Sequence, residues 1–416
     1  MLADVGQPAG DRSPRPTHLG TLAVVADEHD VIVVGAGVAG LSCARRLAAG
    51  GRSPLVLERS DSIGGRVRTD VVDGFLLDHG FQVLPLAYPE ARAALDYDRL
   101  DLGAFERGAI IRTDGRFRRL ADPRHSPVRS LRALAGGVVG VRDSAAVLKL
   151  LRGSDDETTS AEALRRAGVS RATVERFFAP FLRGIFLEER LATSSRFLDF
   201  VLRSFADGPA ALPRGGMGSI ASQLSDGLDV RTGTAVATVG PHAVSLETGE
   251  QLRASVVVVA TSGIVDEPAH GWNGVTCVYY DAPETPIPGP WLVVNGEGGP
   301  INNLCVPSEA APSYAPAGRS LVSLSILGAG EPDLEAVLRQ LRGWFGSGVT
   351  EWRHLRSYRI PRALPSYPVG GFGPQPVRLA DSLYACGDHR EHPSLNGALA
   401  SGRRAAEAVL ADSAQL

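Results

Sequence analysis

The sequence predicts an α/β protein: a Rossmann-like parallel-sheet domain assembled from three separated pieces of chain, and a second, α+β domain built from two inserts. Three observations predict it. Asp30-Val31-Ile32-Val33-Val34 is β-branched, lacks alternation and ends in Gly35, the pattern of a strand buried on both faces of a parallel sheet. A helix over Val38 to Ala49, closed by Gly50-Gly51, and a second buried strand over Pro54 to Glu58 complete a βαβ unit. Further central-strand runs recur far downstream, at Val256 to Val259 and Ser382 to Cys386, so the sheet draws on distant segments.

Composition sets the outer bounds. The chain has 416 residues, 44% hydrophobic and 21% charged, which excludes a disordered, collagen-like or disulfide-scaffold protein. A net charge of -3 gives no basic field for nucleic acid, so none is expected as a partner. Cys43, Cys277, Cys305 and Cys386 lie at neither metal-ligand nor CxxC spacing. No metal site or disulfide is expected, and the chain suits a reducing cytoplasm. No run of 18 uncharged apolar residues exists, so no spanning helix is expected. Residues 1–28 contain no signal-peptide core and read as a flexible extension.

After the βαβ unit, residues 86–211 read as mostly helical, with helices near 127–136, 143–152, 160–167, 171–185 and 193–205. Seven of the thirteen phenylalanines fall between 177 and 205, as helix–helix core, tunnel wall or membrane contact. Strands follow at Ala235 to Val239, Ala243 to Leu246 and Ser255 to Ala260. An α+β stretch comes next, with strands at Thr276–Tyr280, Trp291–Val294, Leu321–Ile326 and Trp352–Tyr358. One amphipathic helix there carries Leu334, Val337, Leu338, Leu341, Trp344 and Phe345 on a single stripe. A helix over Gly397 to Ala411 closes the chain. The first domain is therefore assigned residues 29–85, 212–265 and 375–416, and the second 86–211 and 266–374.

Gly35-Ala36-Gly37-Val38-Ala39-Gly40 is a GxGxxG between a strand and a helix. Its glycines permit a tight turn, close approach of a pyrophosphate and helix–strand packing, and the helix N-terminus favours phosphate. Glu58, at the end of the second strand, is placed to accept hydrogen bonds from a ribose. Arg59 follows it, and Gly64-Gly65-Arg66 forms a second glycine loop. Gly136-Gly137-Val138-Val139-Gly140 lacks a βαβ context and is not expected to bind a second nucleotide.

From Val31 to Thr69 the chain resembles the flavin amine oxidase, protoporphyrinogen oxidase and phytoene desaturase superfamily, whose members carry a ribose-binding acid followed by GGR. Asp78-His79-Gly80-Phe81-Gln82 and Leu212-Pro213-Arg214-Gly215-Gly216-Met217 resemble further family segments, as do Gly387-Asp388 and Asn396-Gly397-Ala398-Leu399-Ala400-Ser401-Gly402. The resemblance implies an FAD-binding domain of the glutathione-reductase-like type. It implies non-covalent FAD held by Gly35, Gly37, Val38, Ala39, Gly40, Glu58, Arg59, Gly64, Gly65, Arg66, Gly80, Phe81, Gln82, Gly387, Asp388, Asn396, Gly397 and Ala398. Val236 stands where the family's adenine-contacting valine is expected.

The family reaction implied is removal of hydride from a substrate C–H to flavin N5. Amine oxidases of the family carry an N5-side lysine in the second insert and two caging aromatic rings. Here Lys149 is the chain's sole lysine, in the helical stretch, and Ser394 occupies one aromatic position. Arg362-Ala363-Leu364-Pro365-Ser366-Tyr367-Pro368 resembles a porphyrinogen oxidase stretch. The expected substrate is thus hydrophobic and not an amine, such as a porphyrinogen or terpenoid/carotenoid, with oxygen or a quinone as electron acceptor. Amine oxidation and a redox-neutral FAD isomerase or FAD-binding scaffold are the alternatives. His389, His392 and Tyr367 are the acid–base candidates, since histidine titrates near neutral pH. The expected location is cytoplasmic, with peripheral membrane contact if the Phe-rich helices face lipid.

Overall fold

The computed structural model describes residues 28–121, 141–153, 156–371 and 373–413. The expected extension up to residue 27, the expected helix at 127–136 and the glycine run from Gly136 lie outside the described residues.

Val31, Ile32 and Val33 are completely buried, and their strand β1 (Glu28–Val34) lies inside a parallel array. On one side β1 pairs with β2 (Pro54–Leu57), which pairs with Asp229–Arg231. On the other it pairs with Gln251–Val259, which pairs with Leu383–Ala385. Register turns this array into the base of a site. Val34 stands opposite both Leu57 and Val259, and Val259 opposite Ala385. The chain therefore leaves four neighbouring strands at one level. Gly35, Glu58, Ala260 and Gly387, all just beyond those strand ends, reach one cavity. The carboxyl ends of parallel strands are where open α/β sheets take ligands. Helix α1 (Val38–Ala49) packs on the C-terminal helix Leu395–Ser413. A Cβ at Gly402 would fall 2.2 Å from the Ala39 carbonyl oxygen, so only glycine permits this spacing.

Among the described residues the second sheet has seven strands, in the order Arg353–Pro365, Trp272–Ala282, Ser320–Leu327, Asn303–Cys305, Val293–Asn295, Gly108–Thr113 and Arg116–Ala121. Alternation along its strands divides two faces. Val293, Leu304 and Leu324 pack with Val337 and Leu341 of the helix Leu334–Phe345. Their chain neighbours Val294, Asn303 and Ser325 point the other way, into the cavity.

The helical layer covers that cavity. It comprises Val141–Arg152, Ser160–Ala167, a segment from Arg171 to Phe186 and Ser195–Asp207. The third of these widens to a π-helical turn over Val174–Phe178. Residues 86–211 are less helical than the sequence reading expects. Gly108–Thr113 and Arg116–Ala121 form a hairpin that extends the second sheet. Another unforeseen hairpin pairs Thr69–Val72 with Phe75–Asp78. Both turn on an Asp-Gly pair with positive φ at each residue, 51° and 83° at Asp73-Gly74 and 51° and 69° at Asp114-Gly115. That dipeptide is a hairpin signal in its own right.

Asp78 ties these parts together. Its carboxylate accepts from Thr69 Oγ1, the Met217 amide and Tyr314 OH, and its carbonyl from Tyr279 OH. Burial lifts the Asp78 carboxyl to about 6, against hydrogen bonds that favour the charged form.

Candidate functional site

One cavity of about 1100 Å³ runs from the ends of the parallel strands to the helical layer. At the first end the wall is backbone. Gly37 pairs with Gly64 as an isolated bridge, and the Gly64 amide donates to the Ala36 carbonyl at 2.8 Å. A Cβ at Gly65 would come 3.3 Å from Gly37 Cα, so two glycine loops meet with no side chain between them. At Gly37 itself a Cβ would meet nothing within 4 Å, which leaves its backbone open to approach. At Gly40 a Cβ would fall 2.0 Å from the Gly35 carbonyl oxygen, so this glycine serves packing. The first turn of α1 faces the cavity at Val38 and Ala39, and its N-cap Gly37 supplies no side-chain cap. Open amides and the helix dipole there suit a phosphate.

Glu58 is 7% exposed, and two backbone amides fix it: Ala36 N to Oε2 at 2.8 Å and Ser60 N to Oε1 at 2.9 Å. Its carboxylate is thereby aimed along the cavity wall, next to Arg59. These features fit a dinucleotide cofactor.

Further along, Arg66 makes a two-pronged ion pair with buried Asp388, at 2.6 and 2.8 Å, and donates to the Ala363 carbonyl. The guanidinium lies 5.4 Å from the Trp272 ring. Gln82 donates to the Arg66 and His79 carbonyls, and Gly80, Phe81 and Gln82 all line the cavity. The sequence pointed to Arg66 and Asp388 separately; the structure joins them. Asp266 and Trp272 carry no motif and were not anticipated.

The three acid–base candidates separate. His389 lines the cavity, and its Nε2 lies 3.2 Å from Asp266 Oδ1; Arg390 holds the other oxygen of the same carboxylate. His392 is not in the wall. It lies behind it, 4.4 Å from the Phe200 ring, with Nδ1 2.9 Å from Ser394 Oγ. Burial pushes its imidazole down to about 4, so it is neutral near pH 7. Tyr367 is also outside the wall, its hydroxyl bonded to the Glu391 carbonyl, and burial pushes it up to about 12. Both sit close in chain to cavity residues but turn their side chains into the core.

The closing motif divides in the same way. Ala398 lines the cavity. Asn396 instead accepts the Glu90 amide at 3.0 Å. Gly397 makes room for the His392 carbonyl, which a Cβ would approach to 2.0 Å. Ser394, at the expected aromatic position, caps the helix by accepting the Gly397 amide at 3.0 Å. Val236, on the strand Val236–Val239, stands outside the cavity wall.

At the far end the wall is aromatic. Phe177, Phe178, Phe181, Phe197 and Phe205 line it, with Phe177 and Phe181 stacked at 5.5 Å. Phe186 is completely buried in the helical core, so the Phe-rich run supplies both core and wall. Lys149 lies elsewhere, exposed and donating to the Arg166 carbonyl at 3.2 Å.

A glycine cradle at the ends of a parallel sheet, opening onto an apolar chamber, has the form of a nucleotide-cofactor enzyme. The chain belongs to the flavin containing amine oxidoreductase family, whose model matches residues 38–410. That family is one of flavin-dependent oxidoreductases, and this chain has a mixed α/β fold. Putrescine oxidase of Kocuria rosea is 45% identical over 82 residues, 20% of this chain and 17% of that protein. The chloroplastic/mitochondrial protoporphyrinogen oxidase 2 of Arabidopsis thaliana is 38% identical over 77 residues, 18% of this chain and 14% of that one. The chain thus matches less than a fifth of the length of these curated relatives. The crystal structure of an oxidoreductase from Methanosarcina mazei has the same fold, with a TM-score of 0.72 at 17% identity over 91% of this chain and all of that one.

Proposed function

We propose that this protein dehydrogenates a hydrophobic, non-amine substrate, such as a porphyrinogen or a terpenoid, with oxygen or a quinone as final acceptor. The observation that carries the reading is the continuous cavity, backbone-lined at the Glu58 end and phenylalanine-lined at the other, with no lysine in its wall.

Bound FAD supplies the two-electron acceptor for a substrate C–H bond. Gly35, Gly37, Gly64, Gly65 and the start of α1 would hold its pyrophosphate, and Glu58 a ribose. Arg66 and Asp388 would position the cofactor between the two ends of the cavity. A Rossmann-like arrangement of the parallel sheet, and FAD held without a covalent bond, belong to the same reading. Phe177, Phe181 and Phe205 exclude water and orient apolar substrate by shape. Of the three acid–base candidates, His389 alone reaches the chamber. In the tautomer whose Nε2–H donates to Asp266, its Nδ1 is left as an acceptor.

Anaerobic mixing of the FAD-loaded protein with a panel of porphyrinogens, terpenoids and amines tests this. Bleaching of the flavin by an apolar compound and not by amines is the expected result. Bleaching by amines alone would overturn the proposal.

A further inference from the structure

The second sheet presents an apolar face to the chamber at Val275, Val294 and Ile360, and two polar side chains interrupt it. Asn303 and Ser325 stand directly opposite each other across the antiparallel pair of Asn303–Cys305 and Ser320–Leu327. Both line the chamber, yet they are only 5% and 4% exposed. Asn303 Oδ1 accepts from Asn302 Nδ2 at 3.0 Å, which identifies Nδ2 as the other end of the carboxamide. Among the described residues, neither that Nδ2 nor Ser325 Oγ has a hydrogen-bond partner.

Several other buried polar groups of the same sheet are satisfied, although the Tyr280 hydroxyl, on the opposite face, is not. Thr276 Oγ1 donates to the Gly328 carbonyl, and Asn295 Nδ2 to the Gly298 and Ile301 carbonyls. Ser323 Oγ is paired with Cys277 Sγ. Neither atom is sealed off from the chamber, so two polar groups side by side on its apolar wall, without a protein partner, are placed to meet a ligand atom. Gly184 supports the arrangement from the covering helix. A Cβ there would press to 3.0 Å from Asn303 Oδ1 and 2.9 Å from Asn302 Nδ2. Its absence leaves the carboxamide in place.

We infer that Asn303 and Ser325 receive a neutral oxygen of an otherwise hydrophobic substrate: a ketone, aldehyde or alcohol oxygen that accepts from Asn303 Nδ2 and Ser325 Oγ. The inference rests on the proposal of an apolar substrate chamber and narrows its substrate class. A pure hydrocarbon leaves both groups unpaired. A carboxylate brings a charge to a pair that carries none, and burying it there is unfavourable.

Equilibrium dialysis of the FAD-loaded full chain with 2-acetylnaphthalene and 2-ethylnaphthalene tests the pair, since these probes share a shape and differ in C=O against CH₂. The wild type should hold the ketone about tenfold more tightly, the equivalent of one satisfied buried hydrogen bond. Asn303→Leu should abolish that preference with FAD content unchanged. Ser325→Ala, the milder change, should reduce it about threefold, and it carries the test if the leucine variant does not fold. Equal binding of the two probes by the wild type, or a preference that survives in every folded variant, overturns the inference and leaves the apolar chamber standing. Failure of both probes to bind contradicts the inference and the chamber together.

Discussion

The two ends of the cavity are built by opposite means. The Glu58 end is made from backbone: two glycine loops, a helix N-terminus and a carboxylate pinned by two amides. The phenylalanine end is made from side chains brought from a helical layer and the face of a second sheet. Backbone geometry demands particular residues at fixed spacing, whereas an apolar wall accepts many. The first end therefore defines a cofactor and a family, and the second a substrate that family membership does not name.

The sharpest way to test the contrast is within the first end. Gly40→Ala should destabilise the fold by about 3 kcal/mol or more, because its Cβ would overlap the Gly35 carbonyl. Thermal unfolding checks this. Gly37→Ala should fold normally, since its Cβ meets nothing, and lose FAD. Equal unfolding temperatures for the two variants would erase the division into packing and ligand-facing glycines.

Behind the substrate wall, His392 stays neutral because it is buried. Its folded pKa of about 4 lies below the ordinary 6.5, so the unfolded chain takes the proton first as pH falls. The associated stability, about 3 kcal/mol, is complete above pH 6.5 and is lost between 6.5 and 4. His392→Phe should flatten that part of the stability–pH curve; an unchanged slope places the titration elsewhere.

Glu58→Ala should weaken FAD retention about ten- to a hundredfold, as loss of a hydrogen-bonded carboxylate implies. Flavin released on dialysis measures it, and unchanged retention removes Glu58 from the ribose role. Phe181→Ala should have the smallest effect, lowering affinity for apolar ligands about fivefold with FAD content intact. A loss of FAD in that variant would mean that the two ends are not separable.

Legibility in the sequence follows the same contrast. Gly35 to Gly40, Glu58 and Gly64 to Arg66 are local strings whose spacing is their function, and Gly35, Gly37, Val38, Ala39, Glu58, Gly64, Gly65 and Arg66 lie together in the cavity wall. The buried strands are equally plain, because a β-branched run without alternation has few other places to go. His392 and Tyr367 were misplaced for the converse reason. Nearness in chain to Asp388 does not fix the direction of a side chain, and both turn into the core. Asn303, Ser325 and Asp266 carry no motif at all. Asn303 and Asp266 gain significance from neighbours such as Gly184 and His389, which are far away in sequence. The hairpins at Asp73-Gly74 and Asp114-Gly115 were legible in principle, since each carries its own turn signal.

The claim that the two ends form one chamber has a direct spectroscopic test. The FAD-loaded protein is titrated anaerobically with 2-ethylnaphthalene, and the visible flavin band is followed while dialysis records binding. A saturable band shift that tracks occupancy is predicted, because an apolar ligand in the phenylalanine-lined end displaces water from beside the flavin. Binding that saturates while the band stays unchanged would contradict the account.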